Sequence, residues 1–393
     1  MKEQKGKGKK FGRPDALLYR AACLLLGPYY RLRYGVRYDL RALRGQKGPM
    51  LVLCPHLSNY DFIIVGLALR RYLPNFVASE HFFHKGRLGK LLHRMRVIPK
   101  KMFCPDVSTI LNISRALREG NTVVLFPEGR LGCYFHSLPV AEGTSALIRR
   151  AGVPVYVLTM SGASLTFPKW SPFKRPGKIR VTAERLFAAG EASGLSVAEI
   201  DARVDGAIRH DEEKAMAGVR YRCPDTTLGL DGVLYRCPLC GAEGTLETRG
   251  GYIRCRCGLD ATLDETYRLH DAPFETLNGW FDWQQRQVDL DTPLRSAVTV
   301  AAADEQGVLH PDAGRGEVVL SREAFVYTGT LDGETVSLSL DPRKIRAFPV
   351  TVGKFFDAYF GKRLLNFYPV PDGRMAIRFV VWLDRLMEET RGQ

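Results

Sequence analysis

At 393 residues with 45% apolar content, the chain can fill two or three domains with cores of their own, which excludes an intrinsically disordered protein. Lys and Arg outnumber Asp and Glu by 57 to 42, a net charge of +15, so charge favours phosphorylated substrates, an anionic membrane face or nucleic acid without choosing among them. The opening MKEQKGKGKK lacks the apolar core of a signal peptide, and no uninterrupted apolar run approaches the roughly 18 residues that span a bilayer. Four of the nine cysteines are clustered and the rest are scattered, which fits a reduced interior better than a disulfide framework.

In chain order, a Lys-rich arm to Lys10 precedes a helix that Pro14 opens, from Asp15 to about Arg33. It mixes Leu, Ala and Tyr with Arg20, Arg31 and Arg33, a composition suited to lying in a membrane interface; the alternative is a helix packed on the domain with its cations solvated. Met50 to Cys54 reads as a buried strand that Pro55 stops. Ser58 is placed to cap a helix starting at Asn59, with Asp61 in its first turn, leaving His56 on the connecting loop. A helix to Tyr72, a strand from Phe76 to Ser79 and a basic helix from Lys85 to Met95 lead into Lys100 and Lys101; His81 and His84 read as structural or surface groups. Ser108 to Glu119 is a helix that ends at Gly120, and Thr122 to Phe126 is a strand delivering Glu128. Ala146 to Ala151 (helix), Val153 to Thr159 and Lys178 to Thr182 (strands) follow, and Ser196 to Ala217 reads as one amphipathic helix with His210 and Asp211 on its surface. Such alternation predicts an α/β domain with both faces of its sheet covered.

Two strand ends carry chemically capable groups. An imidazole at position 56 with a carboxylate five residues on has the make-up of a base whose Nδ1 proton is held while Nε2 faces a hydroxyl. Ser58-x-x-Asp61 is also close to a helix capping box, which needs no chemistry. The second strand end is Phe126-Pro127-Glu128-Gly129-Arg130.

His-x4-Asp followed some seventy residues later by Phe-Pro-Glu-Gly resembles the glycerolipid acyltransferase family, the lysophosphatidate acyltransferases and their relatives, over roughly Gly48 to Arg180. The resemblance implies a glycerol-3-phosphate acyltransferase-like α/β domain. In it His56 and Asp61 are the catalytic pair, and Glu128 and Gly129 help to bind the acceptor. Val97-Ile98-Pro99-Lys100-Lys101 stands where the family has an apolar run ending in a phosphate-binding Arg, and Val153-Pro154-Val155 begins its last motif. Arg130 comes one position earlier than the family's Arg, the family's Thr and Ser hydroxyls are missing, and Lys101 replaces an Arg. Arg130 with Lys100 or Lys101 is thereby expected to hold the acceptor's phosphate, a lysine doing so as a point charge rather than a fork.

Beyond the catalytic region, Cys237-x2-Cys240 and Cys255-x-Cys257 give two thiolate pairs fourteen residues apart, the donor set of a structural zinc ribbon. Cys223, in a repeated Tyr-Arg-Cys-Pro context, is a competing ligand. From about Phe274, runs at 317–320, 324–327, 335–340, 345–352 and 364–370 predict short strands, and Met375 to Glu389 a final helix. A small β-rich module like a pleckstrin-homology barrel is expected there, with Trp280, Phe281 and Trp283 in its core.

The sequence thus predicts an arm and membrane-facing helix (1–43), an acyltransferase domain (44–217), a zinc ribbon (218–270) and a β-rich domain (271–393). The expected reaction moves an acyl group from acyl-CoA or acyl carrier protein to lysophosphatidate or glycerol 3-phosphate at the cytoplasmic face of a membrane, with no nucleic acid involved. The alternatives are a different lipid acceptor, or a zinc-ribbon protein that binds nucleic acid or protein beside a degenerate acyltransferase domain.

Overall fold

A computed structural model of the chain describes residues 11–101, 106–304, 308–361 and 363–392; the arm expected up to Lys10 lies outside them. Three sheets organise the chain.

The first sheet carries the predicted α/β alternation. In order come α1 (Ala16–Tyr34), β1 (Val36–Asp39), β2 (Met50–Leu53), α2 (Asp61–Ala68), β3 (Asn75–Ser79), α3 (Gly86–Arg94), β4 (Ile98–Lys100), α4 (Val107–Arg118) and β5 (Thr122–Leu125). They are followed by α5 (Thr144–Ala151), β6 (Val155–Ser161), α6 (Ala163–Thr166), β7 (Ile179–Phe187), α7 (Val197–Ile208) and α8 (Glu212–Ala215). The strand order is β1-β7-β6-β2-β5-β3-β4; β2 runs parallel to both β5 and β6, and β7 returns antiparallel to β6. Because successive side chains of a strand point to opposite faces, Met50 and Val52 join the core under α1 and α2, while Leu51 and Leu53 join the core under α4, α5 and α7. Both faces are therefore covered, and the near-continuous apolar β2 and β5 are buried along their whole length.

The second sheet is a small antiparallel one, order β11-β10-β9-β8, from β8 (Glu247–Arg249), β9 (Tyr252–Arg254), β10 (Asp260–Leu263) and β11 (Leu269–His270). Helix α9 (Leu277–Arg286) links it to the third sheet, built from β12 (Leu294–Ala303), β13 (Leu309–Leu320), β14 (Phe325–Leu331), β15 (Glu334–Leu340), β16 (Val350–Thr351), β17 (Phe355–Phe360) and β18 (Arg363–Val370). These seven strands are antiparallel throughout, in the order β15-β14-β13-β12-β18-β17-β16. Helix α10 (Ala376–Gly392) packs on β16, β17 and β18, its Phe379 ring stacked on Phe356 at 4.6 Å. Trp280 and Phe281 are buried as expected, but on α9, in a core shared by the second and third sheets.

Two expectations change. The helix predicted from Ser196 to Ala217 ends at Ile208, and α8 turns inward after it. At the break, the distant Ser137 Oγ accepts the His210 N–H, and Asp211 caps α8 by accepting the Lys214 N–H three residues on, so neither belongs to a free surface pair. Glu212 and Glu213 consequently enter the core, where Glu212 accepts from the N–H groups of Gly162, Ser164 and Leu165, and Glu213 from those of Leu277 and Asn278. The helix expected from Asn59 starts at Asp61, and Ser58 Oγ instead accepts the Tyr60 N–H in the preceding turn.

Candidate active site

The site follows from a register. β2 and β5 pair in parallel with Leu53 opposite Leu125, and Cys54 N–H donates to the Leu125 carbonyl, so the two chains leave the sheet at one level. Each then runs through a proline, Pro55 or Pro127, which cannot continue the ladder, and three residues past the paired leucines arrive His56 and Glu128. Equal offsets on neighbouring strands bring together groups 72 positions apart: His56 N–H donates to Glu128 Oε1 at 2.9 Å. The crevice beyond the carboxyl ends of such strands is where open α/β sheets place their ligands.

Asp61, at the first turn of α2, is fully buried and uses a single oxygen for three bonds. Its Oδ2 lies 3.0 Å from His56 Nδ1 and accepts the Leu57 and Ser58 N–H groups at 2.8 and 2.9 Å. Burial pushes the Asp61 carboxyl up, while the His56 ring and the two amides favour its ionised form. With Nδ1 against that carboxyl, the proton is assigned to Nδ1 and the lone pair to Nε2. The imidazole lies on the Phe126 ring, centroids 4.4 Å apart, and its side chain is 24% exposed, so the base is held on one face and open on another.

Glu128 is buried and both of its oxygens are engaged: Oε1 by His56 N–H, and Oε2 by Leu138 N–H at 2.9 Å. Burial raises it to about 8, against the pull of those two amides. Gly129 follows at φ +72°, a left-handed conformation that favours glycine, and a Cβ there would sit 3.7 Å from Lys100 Nζ. Lys100, the last residue of β4, therefore borders the turn; burial pushes its ammonium down and the Arg346 charge adds to that. Lys101 is exposed, with its N–H donated to Asp106.

Arg130 has a partner that the sequence did not indicate. Its side chain is only 13% exposed, and Nη2 pairs at 2.5 Å with Asp384 Oδ1 on α10. The sequence pointed to neither Asp384 nor Arg346, because both come from the third sheet's module. Cys54, two residues before His56, is fully buried.

Away from this site, the Sγ atoms of Cys237, Cys240, Cys255 and Cys257 all lie within 4.8 Å of one another. Zinc–sulfur bonds of about 2.3 Å place the sulfurs of a tetrahedron about 3.8 Å apart. The Cys237–Cys257 and Cys240–Cys255 separations of 3.5 and 3.9 Å fit that figure. Each pair sits on a tight turn, Gly241 N–H donating to the Cys237 carbonyl and Gly258 N–H to that of Cys255. The spacing of the second pair, one residue short of the usual two, does not keep it from the cluster. Cys223 takes no part in the cluster; its Sγ contacts the Asp225 carbonyl at 3.3 Å.

The family model described as Acyltransferase matches residues 36–161, the span that holds the dyad, Lys100 and the Glu128 turn. The 1-acyl-sn-glycerol-3-phosphate acyltransferase of Bacillus subtilis (strain 168) is 22% identical over 204 residues, 48% of this chain and 99% of that protein. Among solved structures, the 1-acyl-sn-glycerophosphate (LPA) acyltransferase PlsC from Thermotoga maritima aligns over 49% of this chain and 77% of its own, at 16% identity and a TM-score of 0.41. The first α/β region of this chain is thus similar to the acyltransferases over residues 36–161.

Proposed function

We propose that the protein transfers a fatty acyl group from a thioester, acyl-CoA or acyl carrier protein, to a hydroxyl of lysophosphatidate or glycerol 3-phosphate. The observation that carries this reading is the His56–Asp61 contact of 3.0 Å at the end of β2, with the half-buried Lys100 bordering the turn at Gly129. His56 Nε2 takes the hydroxyl proton as the oxygen attacks the thioester carbonyl; the C–O bond forms, the C–S bond breaks, and the imidazolium returns the proton to the departing thiolate. Asp61 holds the ring and stabilises its charged form. Glu128, with both oxygens occupied by main-chain N–H groups, acts by fixing the main chain of the base. Lys100, with Arg346 nearby, supplies the positive charge that a phosphate needs.

The four cysteines would hold zinc with no open coordination position, so the ion would fasten the second sheet rather than act on substrate. Leu17, Leu24, Leu25 and Leu32 share the outward face of α1 with Arg20 and Arg31, a pattern suited to an anionic membrane surface. Among the described residues no helix is long and apolar enough to cross a bilayer. We read the chain as the four segments set out from the sequence, 1–43, 44–217, 218–270 and 271–393, with the last two sharing one core.

The engagement of Arg130 by Asp384 removes one cation from the expected pocket and favours a second reading, a lysolipid acceptor with less charge than lysophosphatidate. The test of both is acyl transfer by purified protein from labelled acyl-CoA to a panel of phosphorylated and unphosphorylated lysolipids. Preference for lysophosphatidate supports the first reading, preference for an uncharged acceptor the second, and no transfer to any acceptor refutes both.

A further inference from the structure

The segment from Phe126 to Leu138 begins on one domain and ends inside another. Its first part holds the base: Glu128 takes the His56 N–H and the Leu138 N–H, and Gly132 N–H donates to the His56 carbonyl at 3.4 Å. Its second part, Cys133, Tyr134, Phe135 and Leu138, is buried in the core formed with α9 and the C-terminal sheets, where Asn278 Oδ1 accepts the Phe135 N–H. Arg130 lies between the two parts and is tied to Asp384 on α10.

We propose that Asp384 is a positioning residue for His56: through Arg130, the C-terminal helix holds the loop that sets the base's main chain, so the appended module is a structural part of the acyl-transfer site. Three features support this. Both partners are largely withdrawn from water, where an ion pair has fixed geometry and a lone charge is not tolerated. Among the described residues Asp384 Oδ2 has no hydrogen-bond partner, so the Oδ1 bond to Arg130 is the carboxylate's main attachment. And the route from Asp384 to His56 is short and contiguous, running Asp384, Arg130, Glu128, His56.

The turnover part of the test rests on the acyltransferase reading; the exchange part does not. Asp384→Asn keeps shape and removes charge, Arg130→Met removes the other partner, and the double variant Arg130→Met/Asp384→Leu leaves no lone buried charge. Hydrogen exchange of each folded variant is followed by mass spectrometry. The single variants are expected to exchange at least tenfold faster in the peptides covering 54–58 and 126–138, with β12 to β14 unchanged. Acceleration everywhere, or nowhere, overturns the proposal. For turnover, well below each variant's melting temperature, kcat should fall at least tenfold in the single variants with both KM values within twofold, and the double variant should lose no more than the worse single one. Losses that multiply would mean that the two residues act separately and would overturn it, as would a folded Asp384→Asn with wild-type kcat and wild-type exchange. Wild-type protein inactive on every acceptor counts against the acyltransferase reading alone, and the exchange result then decides the proposal.

Discussion

Two buried glutamates of equal size should respond oppositely to the same isosteric change. Glu128 uses its two oxygens separately, one for the His56 N–H and one for the Leu138 N–H. In Glu128→Gln the carbonyl oxygen can serve one of these donors, and the new NH2 then faces the other, leaving two buried donors without acceptors. At about 1–3 kcal/mol for each unsatisfied group, the variant should lose roughly 2–6 kcal/mol of stability. Glu212 gathers its three amide N–H groups on Oε2, and among the described residues its Oε1 has no partner. Gln reproduces that acceptor, so Glu212→Gln should lie within about 1 kcal/mol of wild type at pH 6. pH gives a second readout, which Glu128 shares because burial raises its carboxyl to about 8 as well. Burial raises the Glu212 carboxyl from 4.5 to about 8, so the folded protein retains a proton that the unfolded chain has released. Wild-type stability therefore falls as pH rises from about 5 to 8, by up to about 1.4 kcal/mol per pH unit from this group, and Glu212→Gln lacks that contribution. Urea unfolding of all three proteins at pH 6 and pH 8.5 measures both effects. Equal tolerance of the two substitutions at pH 6, or a Glu212→Gln difference that does not grow with pH, would refute the reasoning.

Three other outcomes follow from the structure. Lys100→Ala should raise KM for a phosphorylated acceptor about tenfold or more, the worth of a charge-assisted hydrogen bond, while KM for the thioester changes less than about twofold; steady-state kinetics with each substrate varied checks this. Elemental analysis should find one zinc per chain, and Cys240→Ser, at an exposed ligand position, should reduce metal content and lower the melting temperature. Leu24→Glu with Leu32→Glu, both on exposed positions of α1, should shift stability by no more than about 0.5 kcal/mol each and weaken sedimentation with anionic vesicles severalfold.

What the sequence made legible was local. β2 and β5 are short apolar runs ended by proline, and α1 and α4 carry caps beside them, Asp15 for Leu18 N–H and Asp106 for Thr109 N–H. The four zinc-spaced cysteines needed only their turns. What was hidden depends on partners far along the chain. The inward turn of α8 is stabilised by donors near residues 162–165 and 277–278, which a helical repeat cannot reveal. The strands β12 and β17 escaped notice because Arg295-Ser-Ala-Val-Thr-Val-Ala-Ala-Ala303 is built of small residues and Phe355 to Phe360 lacks clean alternation, whereas the longer run expected at 345–352 carries Pro349 and keeps only a two-residue strand. Within the site, His56, Asp61 and Glu128 were readable from two motifs. The use of Arg130 was not, because Asp384 lies 254 residues away.

If His56 removes the acceptor's proton, its loss must show in turnover, which His56→Ala measures. The variant's fold should be intact by circular dichroism, since the ring is partly exposed and rests chiefly on Phe126. Under saturating thioester and acceptor, kcat should fall about 10²- to 10⁴-fold, the usual contribution of a positioned base. A folded His56→Ala protein that turns over as fast as wild type would mean that His56 is not the base.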